Sequence, residues 1–251
     1  MPAGVAVALL VLPLVALIIR APWTQLPALL AEPTVVQALG LSLATASIST
    51  LVCLVLGVPL ALVLAGSAQW PAVPRRLLRA LITVPLVLPP VVGGVALLLL
   101  LGRRGIIGQW LPFTIPFTPA AVVIAQVFVS MPFLVIAVEG ALRASDSRFE
   151  VAAATLGASR FTILRRITLP LVAPGIASGA LLCFTRSLGE FGATITFAGS
   201  FPGTTQTLPI STYLLLQTDP NAAIALSLVL MVVSVAVLVS LRDRWVPGVL
   251  A

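Results

Sequence analysis

The sequence predicts an all-α, polytopic membrane protein with about six transmembrane helices, and three observations predict it. Of its 251 residues 60% are hydrophobic and only 8% charged, with a mean hydropathy of +1.19; a soluble core of this length cannot hide so much apolar surface. Six stretches have the length and apolar content of a membrane helix, which needs ~20 residues. No alternating pattern of ~10-residue strands marks a barrel, and open sheet edges cannot exist in lipid.

The six expected spans are roughly 3–19, 36–65, 80–101, 119–139, 171–197 and 221–241. The first has no basic residue before it and no small-residue cleavage site after Ile19, so it reads as a span and not a cleaved signal. Span two carries Ser42, Thr45 and Ser49 on one helical face, a pattern suited to close helix approach and interhelical hydrogen bonds or to lining a pathway. Span three opens with Pro85-Leu86-Val87-Leu88-Pro89-Pro90, where each proline removes a backbone donor. Such a segment is expected to kink and to face the bundle interior. Gly102-Arg103-Arg104-Gly105 predicts a tight external turn. The segment 197–221 reads as an external loop with a short interfacial helix near 208–217. No internal repeat is visible, so residues 1–251 read as one domain.

Orientation follows from the arginines, which supply all 14 basic residues because lysine and histidine are absent. Arg75, Arg76, Arg79, Arg143, Arg148, Arg160, Arg165, Arg166, Arg242 and Arg244 fall on one side. Arg20, Arg103 and Arg104 fall on the other, which predicts that both termini and the loop 140–170 are cytoplasmic. In that loop Phe149, Ala152, Ala153 and Leu156 recur at helical spacing and form an apolar face of small residues in need of cover. Gly157 is placed to end the helix in a left-handed turn. Ser147 and Glu150 fit a capping box, so Glu150 either starts the helix or meets a partner.

Span five ends in Arg186-Ser187-Leu188-Gly189-Glu190-Phe191-Gly192-Ala193-Thr194. Counting ~1.5 Å per residue from Pro170 puts Arg186 ~24 Å along the helix, inside the bilayer core. An arginine there pairs internally, here with Glu190 four residues on, or serves a polar pathway for which Arg186, Ser187, Glu190 and Thr194 are the candidates. Cys53 and Cys183 lie in apolar runs and suggest neither a disulfide framework nor a metal site. Without histidine there is no histidine triad or zincin site, and without lysine no Walker A phosphate loop. The chain is therefore not expected to be an enzyme or to bind a cofactor or metal; if ATP is used, another chain binds it. A passive anion channel or a membrane scaffold remains the alternative of a different class; a channel would line its pore with rings of charge or carbonyls, and this chain offers one intramembrane arginine.

Ala152-Ala153, Gly157 ten residues before Ile167, and Ile167-Thr168-Leu169-Pro170 resemble the cytoplasmic EAA loop of ATP-binding-cassette (ABC) importer permeases. The match departs from the strict pattern where Val151 precedes the alanine pair and the glutamate stands one residue earlier, as Glu150. Pro85–Gly93, Gly102–Gly105, Ser187–Phe197 and Thr205–Pro209 resemble the molybdate or tungstate permease branch, with sulfate or thiosulfate permeases as the near alternative. The resemblance implies a type I importer permease fold in a bacterial or archaeal plasma membrane. It implies a homodimer, two cytoplasmic ATPase subunits carrying ATP and Mg, an extracytoplasmic oxyanion-binding protein and no nucleic acid. It also implies that Phe149, Glu150, Ala152, Ala153, Leu156 and Gly157 couple to the ATPase.

Overall fold

The computed structural model describes residues 2–242, and among them it contains helices and turns but no strand. The chain runs through α1 (Pro2–Ile19), α2 (Leu26–Ala31), α3 (Pro33–Gly66), α4 (Ala72–Val87), α5 (Pro90–Leu101) and α6 (Pro119–Ala144). It continues through α7 (Arg148–Thr155), α8 (Arg160–Ile163), α9 (Leu169–Leu188), α10 (Gly192–Ala198), α11 (Leu208–Thr218) and α12 (Pro220–Arg242). A π-helical stretch, Leu164–Thr168, joins α8 to α9.

Among the described residues five helical segments are long and apolar enough to cross a membrane, and α4 and α5 together, taken as one bent pair, make a sixth. The expected span 80–101 is thus a bent pair, and the kink expected at its prolines is a turn of 115° between Val87 and Pro90. The cause is local: Leu88, preceding Pro89, is extended, and Pro90 starts the next helix at a position that needs no N–H. Of the prolines expected to face the interior, Pro85 is half-buried beside α6, while Pro89 and Pro90 are exposed on the protomer. The expected span 171–197 is divided as well. α9 stops at Leu188, and after Gly189-Glu190-Phe191 the chain begins the separate short helix α10.

Helix α6 is the centre of the bundle. Its Leu134, Val135 and Val138 pack with Cys53, Ala61 and Leu64 of α3, Ile82 of α4 and Cys183 of α9. Higher up, Ala121, Val122, Ala125 and Val129 pack with Leu97 of α5 and with Ala193, Phe197 and Ala198 of α10. A third cluster joins Val35 and Ala38 of α3 to Leu208 of α11 and Leu226 of α12. Helix α11 falls where the short helix near 208–217 is expected, and its Leu208, Ile210 and Ser211 are buried.

In lipid, helices gain little from the hydrophobic effect and are held by close packing and hydrogen bonds. Both occur around α6. Gly175 and Gly179, four apart on α9, let that helix approach so closely that an added Cβ would lie 2.2 Å from Ala141 Cβ at the first and 3.0 Å from Leu134 Cδ1 at the second. The polar face of α3 packs inward: Ser49 Oγ donates to Gln126 Oε1 at 2.8 Å, and Gln126 Nε2 donates to Thr45 Oγ1 at 3.2 Å. Ser42 Oγ accepts the Leu208 N–H at 2.7 Å and so satisfies a free donor at the start of α11. Ser130 Oγ receives the Cys183 thiol at 3.3 Å and the Ser187 hydroxyl at 3.0 Å.

Replacing Gly175 with alanine should lower the stability of the purified chain by about 1–3 kcal/mol, the usual cost of overpacking. The same change at Gly40, where an added Cβ meets nothing within 4 Å, should leave the thermal midpoint unchanged or slightly raised.

Candidate functional site: the α6–α9 loop and a broken helix pair

The loop between α6 and α9 folds as α7, α8 and the π-helical stretch. Helix α7 ends in a Schellman motif: the Gly157 N–H reaches Ala154 O at 3.0 Å and the Ala158 N–H reaches Ala153 O at 3.0 Å. Gly157 adopts φ +83°, the left-handed conformation that the sequence pattern called for and that a Cβ would strain. Phe149 and Leu156 are 58% and 88% exposed; Ala152 is exposed too, and Ala153 is half-buried. The apolar face thus points out of the protomer.

The start of α7 differs from the capping box. Ser147 has helical backbone angles and makes no capping hydrogen bond, while Asp146 Oδ1 accepts the Arg148 N–H at 3.0 Å. The Arg148 guanidinium, hydrogen-bonded to the Asp146 side chain, holds that carboxyl below its ordinary value, and the backbone N–H adds to the effect. Glu150 is therefore free for another role. Its Oε1 accepts the Thr168 hydroxyl at 2.6 Å, across the loop at the foot of α9. Glu150, Val151 and Ala154 border a cavity of about 530 Å³ shared with Leu62, Ala65 and Thr168.

At the other end of α9, Arg186 Nη1 lies 2.5 Å from Glu190 Oε2. Glu190 Oε1 accepts the Ala193 N–H at 2.9 Å, so one buried carboxylate pins the arginine on one side and the first turn of α10 on the other. The Arg186 side chain keeps 28% of its surface exposed, against 1% for Glu190. Ser187 and Thr194, the remaining pathway candidates, are both fully buried. Ser187 bonds to α6, and Thr194 Oγ1 has no hydrogen-bond partner. The structure therefore brings Arg186 and Glu190 together and sends the other two into helix packing.

The two helix breaks meet. A Cβ on Gly192 would lie 2.9 Å from Pro90 Cβ, and one on Gly94 would lie 2.8 Å from Ala193 O. The proline segment of α4–α5 and the Arg186–Thr194 segment, far apart in sequence, thus form one packed unit. Sequence reasoning missed a second charged cluster, in which the buried Glu139 of α6 is paired with Arg79 of α4 and, at 2.8 Å, with Arg143. The signal was present as Glu139 and Arg143, four apart on one helix in the favourable order. Among the described residues no group of histidine, cysteine, aspartate or glutamate side chains could hold a metal ion.

Residues 57–247 match the family model described as binding-protein-dependent transport system inner membrane component. The chain belongs to this family. It is 52% identical to the Molybdenum transport system permease protein ModB of Mycobacterium tuberculosis (strain ATCC 25618 / H37Rv) over 247 residues, covering 97% of this chain and 92% of that protein. It is 34% identical to the Sulfate transport system permease protein CysT of Escherichia coli (strain K12) over 241 residues, covering 93% and 86%. Among solved structures it resembles a bacterial alginate ABC transporter in complex with an alginate pentasaccharide-bound periplasmic protein, with a TM-score of 0.67, 16% identity, and coverage of 95% and 93%.

The Glu150–Thr168 bond should be measurable directly. Glu150→Ala or Thr168→Val should loosen α7 by about 1–2 kcal/mol and so speed exchange of its amides by roughly 5–30-fold. Unchanged exchange in both variants would show that α7 is held by its own cap and loop packing alone.

Proposed function

We infer that this chain is the membrane-spanning permease of an ATP-driven molybdate importer. The observation that carries the cargo is the 52% identity to a molybdenum permease along nearly the whole chain, against 34% to the sulfate permease. Tungstate resembles molybdate in charge and shape, so it belongs to the same cargo class.

In this reading residues 1–251 form one permease domain, with both termini on the cytoplasmic side where the arginines collect. Arg244, part of that arginine asymmetry, lies outside the described residues. The exposed face of Phe149, Ala152, Ala153 and Leu156 docks into a groove on a cytoplasmic ATPase, which binds ATP and Mg. Gly157 closes the docked helix, and Glu150 ties its inner side to Thr168. A push on α7 thereby reaches the base of α9, whose far end carries Arg186. Two copies of the chain and two ATPase subunits complete the machine, and an extracytoplasmic binding protein delivers the oxyanion.

A dianion needs a polar, hydrated route because bare charge in hydrocarbon is prohibitively costly. Broken helices are tolerated at membrane depth only where protein or water satisfies them. The exposed Pro89 and Pro90 and the part-exposed Arg186 lie at such breaks, which supports placing the route between two copies at this level. Arg186 would meet the passing anion, and Glu190 would hold it in place between passages. Ser187 and Thr194 support the same segment from within the protomer.

Ala153→Trp or Gly157→Leu should uncouple transport while leaving membrane insertion intact. Unaltered ATPase copurification and substrate-stimulated hydrolysis would overturn the coupling assignment. Arg186→Ala should lower uptake by about tenfold or more, the scale of one lost charge-assisted contact, with the complex still assembled; normal uptake would return Arg186 to a structural role. Binding of molybdate, tungstate and sulfate by the cognate external protein tests the cargo, and a preference for sulfate would replace molybdate in this reading.

A further inference from the structure

Where α3 gives way to α4, the chain places Arg75 and Arg79 on one helix face four residues apart. The end of α6 brings Arg143 beside them. The three guanidiniums and Ala68 line a cavity of about 340 Å³. Among the described residues their only carboxylate is Glu139, buried beneath, whose Oε1 alone takes both Arg79 and Arg143. Arg75 is held by a different contact, its Nη1 donating to Ala68 O at 3.1 Å. Three positive charges against one negative leave the cluster at +2.

Each guanidinium carries five N–H donors. One carboxylate and one carbonyl satisfy few of them, and the Arg79 and Arg143 side chains remain 49% and 54% exposed. Like charges gathered at this spacing repel unless an anion sits among them. The fork geometry of arginine matches phosphate-type oxygens in particular.

The surroundings supply such an anion. Val73, Leu77 and Leu81, at helical spacing on α4, are 67%, 59% and 72% exposed, and Trp70 just before the helix is 44% exposed. An apolar stripe with an aromatic residue beside a basic cavity is the pattern of a helix lying at the membrane interface. Basic pockets between helices at that level take phospholipid head groups.

We propose that the cavity formed by Ala68, Arg75, Arg79 and Arg143 binds one phosphate-type tetrahedral oxyanion, carried by an anionic lipid head group or free in solution. The site is separate from the Arg186–Glu190 pair and from the exposed face of α7. Glu139 serves it as a positioning residue by anchoring two of the three arginines.

The test uses the full chain in nanodiscs. In the lipid arm, native mass spectrometry of wild type in mixed phosphatidylcholine and phosphatidylglycerol should retain one phosphatidylglycerol per chain. In the free-ion arm, wild type in pure phosphatidylcholine should bind inorganic phosphate saturably. A positive result in either arm identifies the source. Arg75→Gln should weaken that binding about tenfold, and raising the salt concentration should weaken it in wild type, which keeps the test valid should the variant misfold. Absence of both lipid retention and phosphate binding, or binding insensitive to both Arg75→Gln and salt, overturns the proposal. Loss of ATPase copurification in Arg75→Gln with no anion bound by wild type would assign the patch to an acidic protein surface instead.

Discussion

The close approach of α9 to α6 is the contact on which the rest of the structure depends. Neither helix is drawn to the other by expulsion of water, because lipid is as apolar as their side chains. Gly175 and Gly179 remove the side chains that would separate the backbones, and dispersion then acts at short range over the whole seam. Only at this spacing can the Ser187 hydroxyl and the Cys183 thiol reach Ser130. The same seam fixes both ends of α9, Thr168 beneath the loop that carries α7 and Arg186 near the helix breaks.

A rigid α9 gives the peripheral features a common mechanical frame. At its foot the Glu150–Thr168 hydrogen bond joins α7 to the π-helical stretch. Such stretches are uncommon and recur at functional positions. At its head, Glu190 shares its two oxygens between Arg186 and the Ala193 N–H. A buried carboxylate satisfied on both oxygens is a hinge pin with little freedom. Displacement of α9 would therefore carry Arg186 and α10 together, and α10 would carry the proline break of α5 through Gly192 and Gly94.

Buried charge is handled in the same way at both ends. Glu139 and Glu190 are each withdrawn from solvent and each is met by arginine that stays partly wet. Removing a partner from a buried ion is far costlier than losing a surface pair, so each glutamate fixes the position of its arginine. The arginine side chains stay 28% to 54% exposed beside them.

The helical class, the membrane setting, the polar face of α3 and the left-handed end of α7 are legible in the residues alone. Each depends on local composition or on spacing along one helix: long apolar runs, hydroxyls repeated at helical intervals, and a glycine where φ turns positive. Only the packing of distant helices shows how the broken spans meet and what the glutamates touch. Pro89 and Pro90 announced and locally cause the break, but after the 115° turn it is α10 against which α5 packs, through Gly94 and Gly192. Glu150 matched a capping box in sequence, yet its hydrogen bond goes to Thr168, 18 residues away, because the loop folds back over α9. Ser187 and Thr194 read as pathway residues beside Arg186, and helix rotation placed both in the interior. Local rules see which groups lie near one another along the chain; which of them meet is fixed only when distant helices pack.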